Sequence, residues 1–588
     1  MRLIRPALGR PLDPAARSNR AGTLVRTGVP RLTLGCALAI ALLGTASPAA
    51  LATEGWLPSM RSRITPQDLP RPPDVPDDAT LEASGARIGE VRMDRRNVFD
   101  LRIPEEDTAL FRFANWLHVH TRESTLATQL LFKPGDPYDT RLLQESERLL
   151  RANPFLGDAR IMPVAYRDGI VDLEIVTQDV WTLNPGVSFG RQGGANNSGI
   201  GLSELNLLGM GSELAISVKS DVDRHSRTLL YRDRQVAGTW WGVATRYSNN
   251  SDGQSREFTL DHPFYALDTR WAAGFSTKST QSVESRYQLG QAIDEFNLNQ
   301  RNRTVYAGRS EGLVGGWATR WTVGLSHEEH RIDPVAAPGS GVAPEYRRLT
   351  YPWLGIERVQ DDFLKTRNQD QIGKTEDYSL GWQAQARVGV AALGFGSDRD
   401  AVIFDTRVSK GLHNSPEQTL LLAAAASGRL ESGHLEGALF SASGRYHLRH
   451  SPKASSFLGL WVDRGTGLDA DQALQLGGDT GLRGYPLRYQ TGNGRWLFTA
   501  EQRAFTDWYP WRLFNVGGAV FYDMGRTWGG NLAGEPSQGL LRDLGFGLRL
   551  GNSRSALGNV VHIDLAFPLD GDASIRKVQF IVETRRSF

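Results

Sequence analysis

Beyond residue 181, apolar residues fall on every second position instead of every third or fourth. Val561, Ile563, Leu565 and Phe567 share one face of a segment whose other face carries Val560, His562, Asp564 and Ala566. The same period recurs at Trp241, Val243, Thr245 and Tyr247, at Trp271, Ala273 and Phe275, and at Trp321, Val323 and Leu325. Successive side chains of a strand point to opposite sides, so 182–588 reads as a long series of strands with one apolar and one small or polar face. That alternation suits a soluble sandwich as well as a barrel whose outside meets lipid and whose inside meets water. What precedes residue 182 decides between them.

Residues 83–181 follow a different pattern. Ile88 to Leu101 is predicted as a strand, and Thr121 to Phe132 and Asp139 to Asn153 as helices. In the second helix Leu142, Leu143, Ser146, Leu149 and Leu150 recur at helical spacing and form one buried stripe. Asp139 or Thr140 caps its start and Asn153-Pro154 stops it. Two strands follow, Ala159 to Tyr166 and Ile170 to Trp181, joined at Arg167-Asp168-Gly169, where Asp-Gly marks a tight hairpin. The order β-α-α-β-β, with Leu130-Leu131-Phe132-Lys133-Pro134-Gly135-Asp136-Pro137-Tyr138 between the helices and Asn153-Pro154-Phe155 after them, resembles a POTRA domain, present here in one copy.

The N-terminus carries Arg2, Arg5, Arg10, Arg17, Arg20, Arg26 and Arg31, then the apolar run Leu34 to Leu43, then Ala50-Leu51-Ala52. Charged, apolar, then Ala-x-Ala is the order of a secretory signal peptide, with cleavage expected after Ala52; the long Arg-rich start leaves an organelle transit peptide as the competing reading. Residues 53–82, with Pro58, Pro66, Pro70, Pro72, Pro73 and Pro76, are predicted as an extended spacer. The only cysteine, Cys36, falls within the expected signal peptide, so the mature chain would have no disulfide or cysteine-ligated metal.

Composition bears this out as a class and excludes others. Hydrophobic residues are 40% of the chain and mean hydropathy is −0.36, and no run is long enough for a spanning helix. The 63 glycines and the 15 tryptophans, 15 tyrosines and 23 phenylalanines suit a β-protein with tight turns and aromatic girdles. A formal charge of only +2 argues against a nucleic-acid partner held by bulk electrostatics.

The most informative stretch is Gly477-Gly478-Asp479-Thr480-Gly481-Leu482-Arg483-Gly484-Tyr485-Pro486. It resembles the loop-six motif of the BamA/TamA and two-partner-secretion superfamily of outer-membrane assembly and translocation proteins, with Leu482 in place of the usual Val or Ile before Arg483-Gly484-Tyr485. Downstream, Phe521-Tyr522-Asp523-Met524-Gly525 resembles the family's strand motif, and Asn206-Leu207-Leu208-Gly209-Met210-Gly211 the turn after its first barrel strand. The resemblance implies that the loop folds into the barrel and that Arg483 meets Asp523. Parity adds an independent test: if Asp523 points inward, so do Ala519, Phe521 and Gly525, while Val520, Tyr522 and Met524 face lipid. On the preceding strand Thr499, Glu501 and Arg503 then face inward, which makes Glu501 a second partner for Arg483. The terminal Phe588 matches the family's C-terminal signal, although Arg586 and Thr584 stand where apolar residues are usual.

His327-Glu328-Glu329-His330 lacks the i, i+4 histidine spacing of a zinc helix and reads as a solvated segment at a strand end. No Gly-x-Ser-x-Gly elbow is present. These readings combine into a mainly β chain: a small α+β POTRA-like domain in the periplasm, then a transmembrane antiparallel barrel of about sixteen strands if the family count holds. The implied function is insertion or translocation of client polypeptides at the outer membrane of a Gram-negative bacterium, with outer-membrane lipid as surroundings and no enzyme activity, cofactor or metal. A passive porin and a barrel enzyme such as a phospholipase are the alternatives.

Overall fold

The computed structural model describes residues 65–335, 343–529, 539–556 and 560–585. The signal-peptide reading, Cys36 and Phe588 lie outside the described residues.

The small domain runs α1 (Asp78–Ala83), β1 (Arg87–Arg96), α2 (Ala109–Leu117), α3 (Glu123–Ala127), α4 (Thr140–Arg151), β2 (Leu156–Arg167) and β3 (Ile170–Asp179). Its sheet order is β1-β3-β2, with β3 parallel to β1 and antiparallel to β2. Helix α4 starts where its cap dictates: the Asp139 side chain accepts from Leu142 N. Leu143, Ser146, Leu149 and Leu150 are buried on its inner face. Between β2 and β3, Asp168 and Gly169 both adopt positive φ, 50° and 77°, the left-handed pair that a two-residue hairpin requires. Leu81, Ile88, Leu126, Phe132, Leu150, Phe155, Val171 and Leu173 form one core.

Three expectations for this region change. The strand expected to reach Leu101 ends at Arg96, because the side chains of Asn97 and Asn115 turn the backbone by taking up the N–H groups of Val98 and Phe99. Helix α2, capped by Thr108, was not expected, and the helix expected from Thr121 to Phe132 shrinks to α3 because Leu131 N donates to Ser146 Oγ at 3.0 Å. The spacer expected over 53–82 is folded from residue 65 onward: Pro66–Asp68 is a 3-10 turn, Asp77 caps α1, and Leu81 is fully buried in the domain core.

From Leu183 to Arg585 the chain closes into an antiparallel barrel of 20 strands, not sixteen. The larger count follows from very short connections. Leu289-Gly290, Gly315-Gly316 and Ser432-Gly433 each join long strands with only two residues, all at positive φ, where longer loops would have used up the chain. Alternation is as predicted on the outer wall: Val187, Ile200, Leu202, Val323, Leu354 and Leu548 are each more than half exposed. Among the described residues no helix is long and apolar enough to cross a membrane; the outward strands carry the apolar surface instead.

A barrel this wide cannot be filled by the side chains of its own wall. Two segments enter it. One is the loop between the fifteenth strand, Ala454–Thr466, and the sixteenth, Gly494–Phe505; the other is a hairpin, Phe363–Arg367 paired with Thr375–Ser379, from the opposite end.

Candidate functional site: a charged cluster in the barrel lumen

The sixteenth to nineteenth strands, Gly494–Phe505, Phe514–Trp528, Leu541–Asn552 and Val560–Pro568, lie side by side in register. Their inward positions are unusually charged. Parity holds on the first two: Thr499, Glu501 and Arg503 are buried, as are Ala519, Phe521, Asp523 and Gly525, while Val520 is 63% exposed on the outside.

Arg483 descends onto this wall and is 2% exposed. Its Nε and Nη2 donate to the two carboxylate oxygens of Asp523 at 2.6 and 2.9 Å, and Nη1 donates to Glu501 Oε1 at 2.7 Å. The planar guanidinium thus presents a fork to one carboxylate and its remaining corner to another, a geometry lysine cannot reproduce. Its face lies 3.4 Å from the centroid of the Phe521 ring, adding a cation–π contact. Asp564 lies 3.8 Å from Nη1. One cation among three carboxylates would leave an excess of negative charge, and two further arginines offset it: Arg503 donates to Glu501 Oε2 at 3.0 Å, and Arg549 to Asp564. With every member nearly dry, this is a buried network rather than a lumen-water pair.

The residues around Arg483 fix the loop. Leu482 is fully buried with Leu476, Tyr489, Leu541 and Ile575. Gly484 N donates to Asp543 Oδ2 at 3.0 Å, and a Cβ at Gly484 would meet Asp543 Cβ at 2.7 Å, so only glycine lets the loop backbone come this close. Tyr485 is buried, and its hydroxyl donates to Arg542 O at 2.7 Å while accepting from Arg542 N at 3.1 Å. Gly525 serves the same purpose on the wall: a Cβ there would meet Trp496 O at 2.6 Å and Leu476 at 3.0 Å.

The structure therefore brings together Leu482, Arg483, Gly484, Tyr485, Glu501, Phe521, Asp523 and Gly525. Counted along this barrel, the loop is the eighth on its side, not the sixth. Asp543, Arg549 and Asp564 were missed as members, although extending the same parity over two more strands would have found them. The inserted hairpin carried no such signal, since Phe363 to Ser379 is polar and lacks a clear period.

Two other features bear on function. Among the described residues, the first and last strands, Leu183–Gln192 and Gln579–Arg585, meet with a single registered pair, Val582 with Arg191, whereas the last strand pairs with its other neighbour from Gln579 to Arg585. His327 to His330 lie inside a strand, Trp317–Pro334, and not in a solvated loop. His330 is buried near Glu345 and Asp469, but Arg347 forks onto Asp469 at 2.9 and 3.2 Å and Arg429 approaches its other side. Those carboxylate oxygens are already engaged by arginines.

No family model and no curated protein matches the chain. Among solved structures it is similar to CdiB from Escherichia coli (12% identity, 86% of this chain and 77% of that one, TM-score 0.45). It is also similar to CdiB from Acinetobacter baumannii (14% identity, 86% and 74%, TM-score 0.43). A third is BamA from Haemophilus ducreyi lacking POTRA domains 1-3 (13% identity, 86% and 85%, TM-score 0.36).

Proposed function

We propose that the chain is an outer-membrane barrel that inserts or translocates polypeptides, with its POTRA-like domain in the periplasm. The observation that carries this is the Arg483 fork onto Asp523. The motif resemblance implied that pairing between residues forty positions apart, and the geometry contains it along with the second partner, Glu501. The sparse pairing of the first and last strands among the described residues supports a lateral opening through which a client strand passes. The sheet β1-β3-β2 has two outer strands, β1 and β2, and an extended client would add to such an edge through main-chain hydrogen bonds. A passive porin would need an open lumen, whereas here the loop enters the barrel and packs Leu482 and Tyr485 with Leu541 of the wall. No step in this reading calls for a cofactor, a metal or bond-breaking chemistry.

Depletion of the protein, followed by proteomics of outer membranes and culture supernatant, tests it. Broad loss of barrel proteins would mark an insertion role, and loss of one secreted protein a translocation role. Unchanged proteomes together with altered solute uptake would overturn the proposal in favour of a channel.

A further inference from the structure

The hairpin Phe363–Arg367/Thr375–Ser379 belongs to the connection between the barrel strands Glu345–Gln360 and Gln383–Ala391. Its paired strands and its tip hold different bodies. Along the strands, the Arg151 guanidinium of α4 forks onto Asp377, Nε and Nη2 lying 2.8 and 2.7 Å from its oxygens, with both side chains under a tenth exposed. Thr375 Oγ1 donates to Asp158 of β2 at 2.9 Å, Lys365 pairs with Glu147 at 3.3 Å, and Arg367 pairs with Asp68 at 3.0 Å. Arg148 stacks 4.0 Å from the Phe363 ring centroid. The strands of the hairpin, up to the last pair Arg367–Thr375 before the tip, are therefore gripped by the POTRA-like domain through at least four charged or polar contacts.

The tip lies against the barrel wall. Arg503 Nη1 donates to Gln369 O at 2.9 Å, Arg445 Nη1 to Asp370 Oδ2 at 3.2 Å, and Asn515 Nδ2 to Ile372 O at 2.9 Å. Ile372 packs with Phe505, Ala519 and Val560. The tip is also braced internally, because the Glu376 carboxylate accepts from the N–H groups of both Gln369 and Asp370 at 2.9 and 2.8 Å. Arg503 in turn donates to Glu501, which holds Arg483. The loop from one end of the barrel and the hairpin from the other thus converge on neighbouring inward positions of one strand.

We propose that this hairpin is a plug, seated in the lumen by the POTRA-like domain and withdrawn when that domain shifts. A wall of 20 strands encloses a lumen wide enough to conduct, and the loop fills it from one side only. A braced tip bonded to three wall side chains completes the closure. Its grip on α4 and β2 gives the domain that presents the client-binding edge a direct hold on the seal. The proposal rests on the membrane-barrel reading but not on client handling.

The test is single-channel conductance of the full-length protein in planar lipid bilayers. Replacing 369–373 by two glycines should raise conductance several-fold or produce long open events. The charge reversals Arg151→Asp and Asp377→Arg, each leaving the tip intact, should give frequent openings, and the double reversal R151D/D377R should return the channel to near silence. Inserted channels whose conductance is unchanged by both the tip replacement and the single reversals would overturn the plug. So would a double reversal as open as either single one. Failure of the wild-type protein to insert at all would instead count against the membrane-barrel reading.

Discussion

Arg483 shows how much one side chain can be asked to carry. Its charge is held away from water by two carboxylates and an aromatic face, so removing either side leaves the other buried with its closest counter-charge gone. Breaking a buried pair costs about 3–5 kcal/mol, against ~0–1 kcal/mol for an exposed one. With Arg483 at 2% and Asp523 at 0% exposure, the larger figure applies, although Glu501 and Arg503 remain to soften each loss. Arg483→Ala and Asp523→Ala should each lower the barrel's unfolding free energy in lipid vesicles by about 3 kcal/mol, and the double variant by far less than the sum. Strict additivity in urea titrations would show that the two residues do not act as a unit. Arg483→Lys should recover only part of the loss, since an ammonium keeps the charge but cannot engage three carboxylate oxygens in one plane.

At the scale of elements, the parts legible in the sequence are those with a local physical cause. The α4 stripe, its Asp139 cap and the Asp168-Gly169 turn each follow from short-range chemistry and occur where predicted. Inward parity of Glu501 and Asp523 was legible because period two leaves no other choice once one residue is assigned. Illegible parts depend on distant partners. Pro-rich 65–82 reads as a spacer by composition, yet Leu81 is held by the core of a domain that lies after it in the chain. The hairpin Phe363–Ser379 is polar because its partners are the charged α4 and the charged wall. The expected strand number was carried over from the family resemblance, and the two-residue turns such as Leu289-Gly290 that make room for 20 strands are too short to stand out in the sequence. The redrawn boundary shapes the second prediction. Deleting residues 65–181 removes the domain as a folded unit, and should leave a barrel that inserts, as heat-modifiable migration reports, but handles no client. Client handling undiminished by that deletion would remove the small domain from the mechanism.

At the scale of the whole molecule, the seam is, among the described residues, the most sparsely paired line in the barrel wall. Arg191 and Val582 are directly opposed there, and the expected mature chain has no competing thiol. Arg191→Cys with Val582→Cys should form a disulfide under oxidation that stops client passage while the barrel remains inserted, with activity returning on reduction. Passage unaffected by a fully formed cross-link would send the client through another route. The charged cluster has a consequence of a different kind. Its carboxylates come from four consecutive strands, at Glu501, Asp523, Asp543 and Asp564, all of them synthesised after Arg483. The loop's cation accordingly finds its direct partners only once the seventeenth strand has been made, and the Asp543 and Asp564 positions that complete the cluster follow on the next two strands. The cluster is in that sense a completion mark, through which the order of synthesis is converted into a difference in stability between a finished wall and an unfinished one.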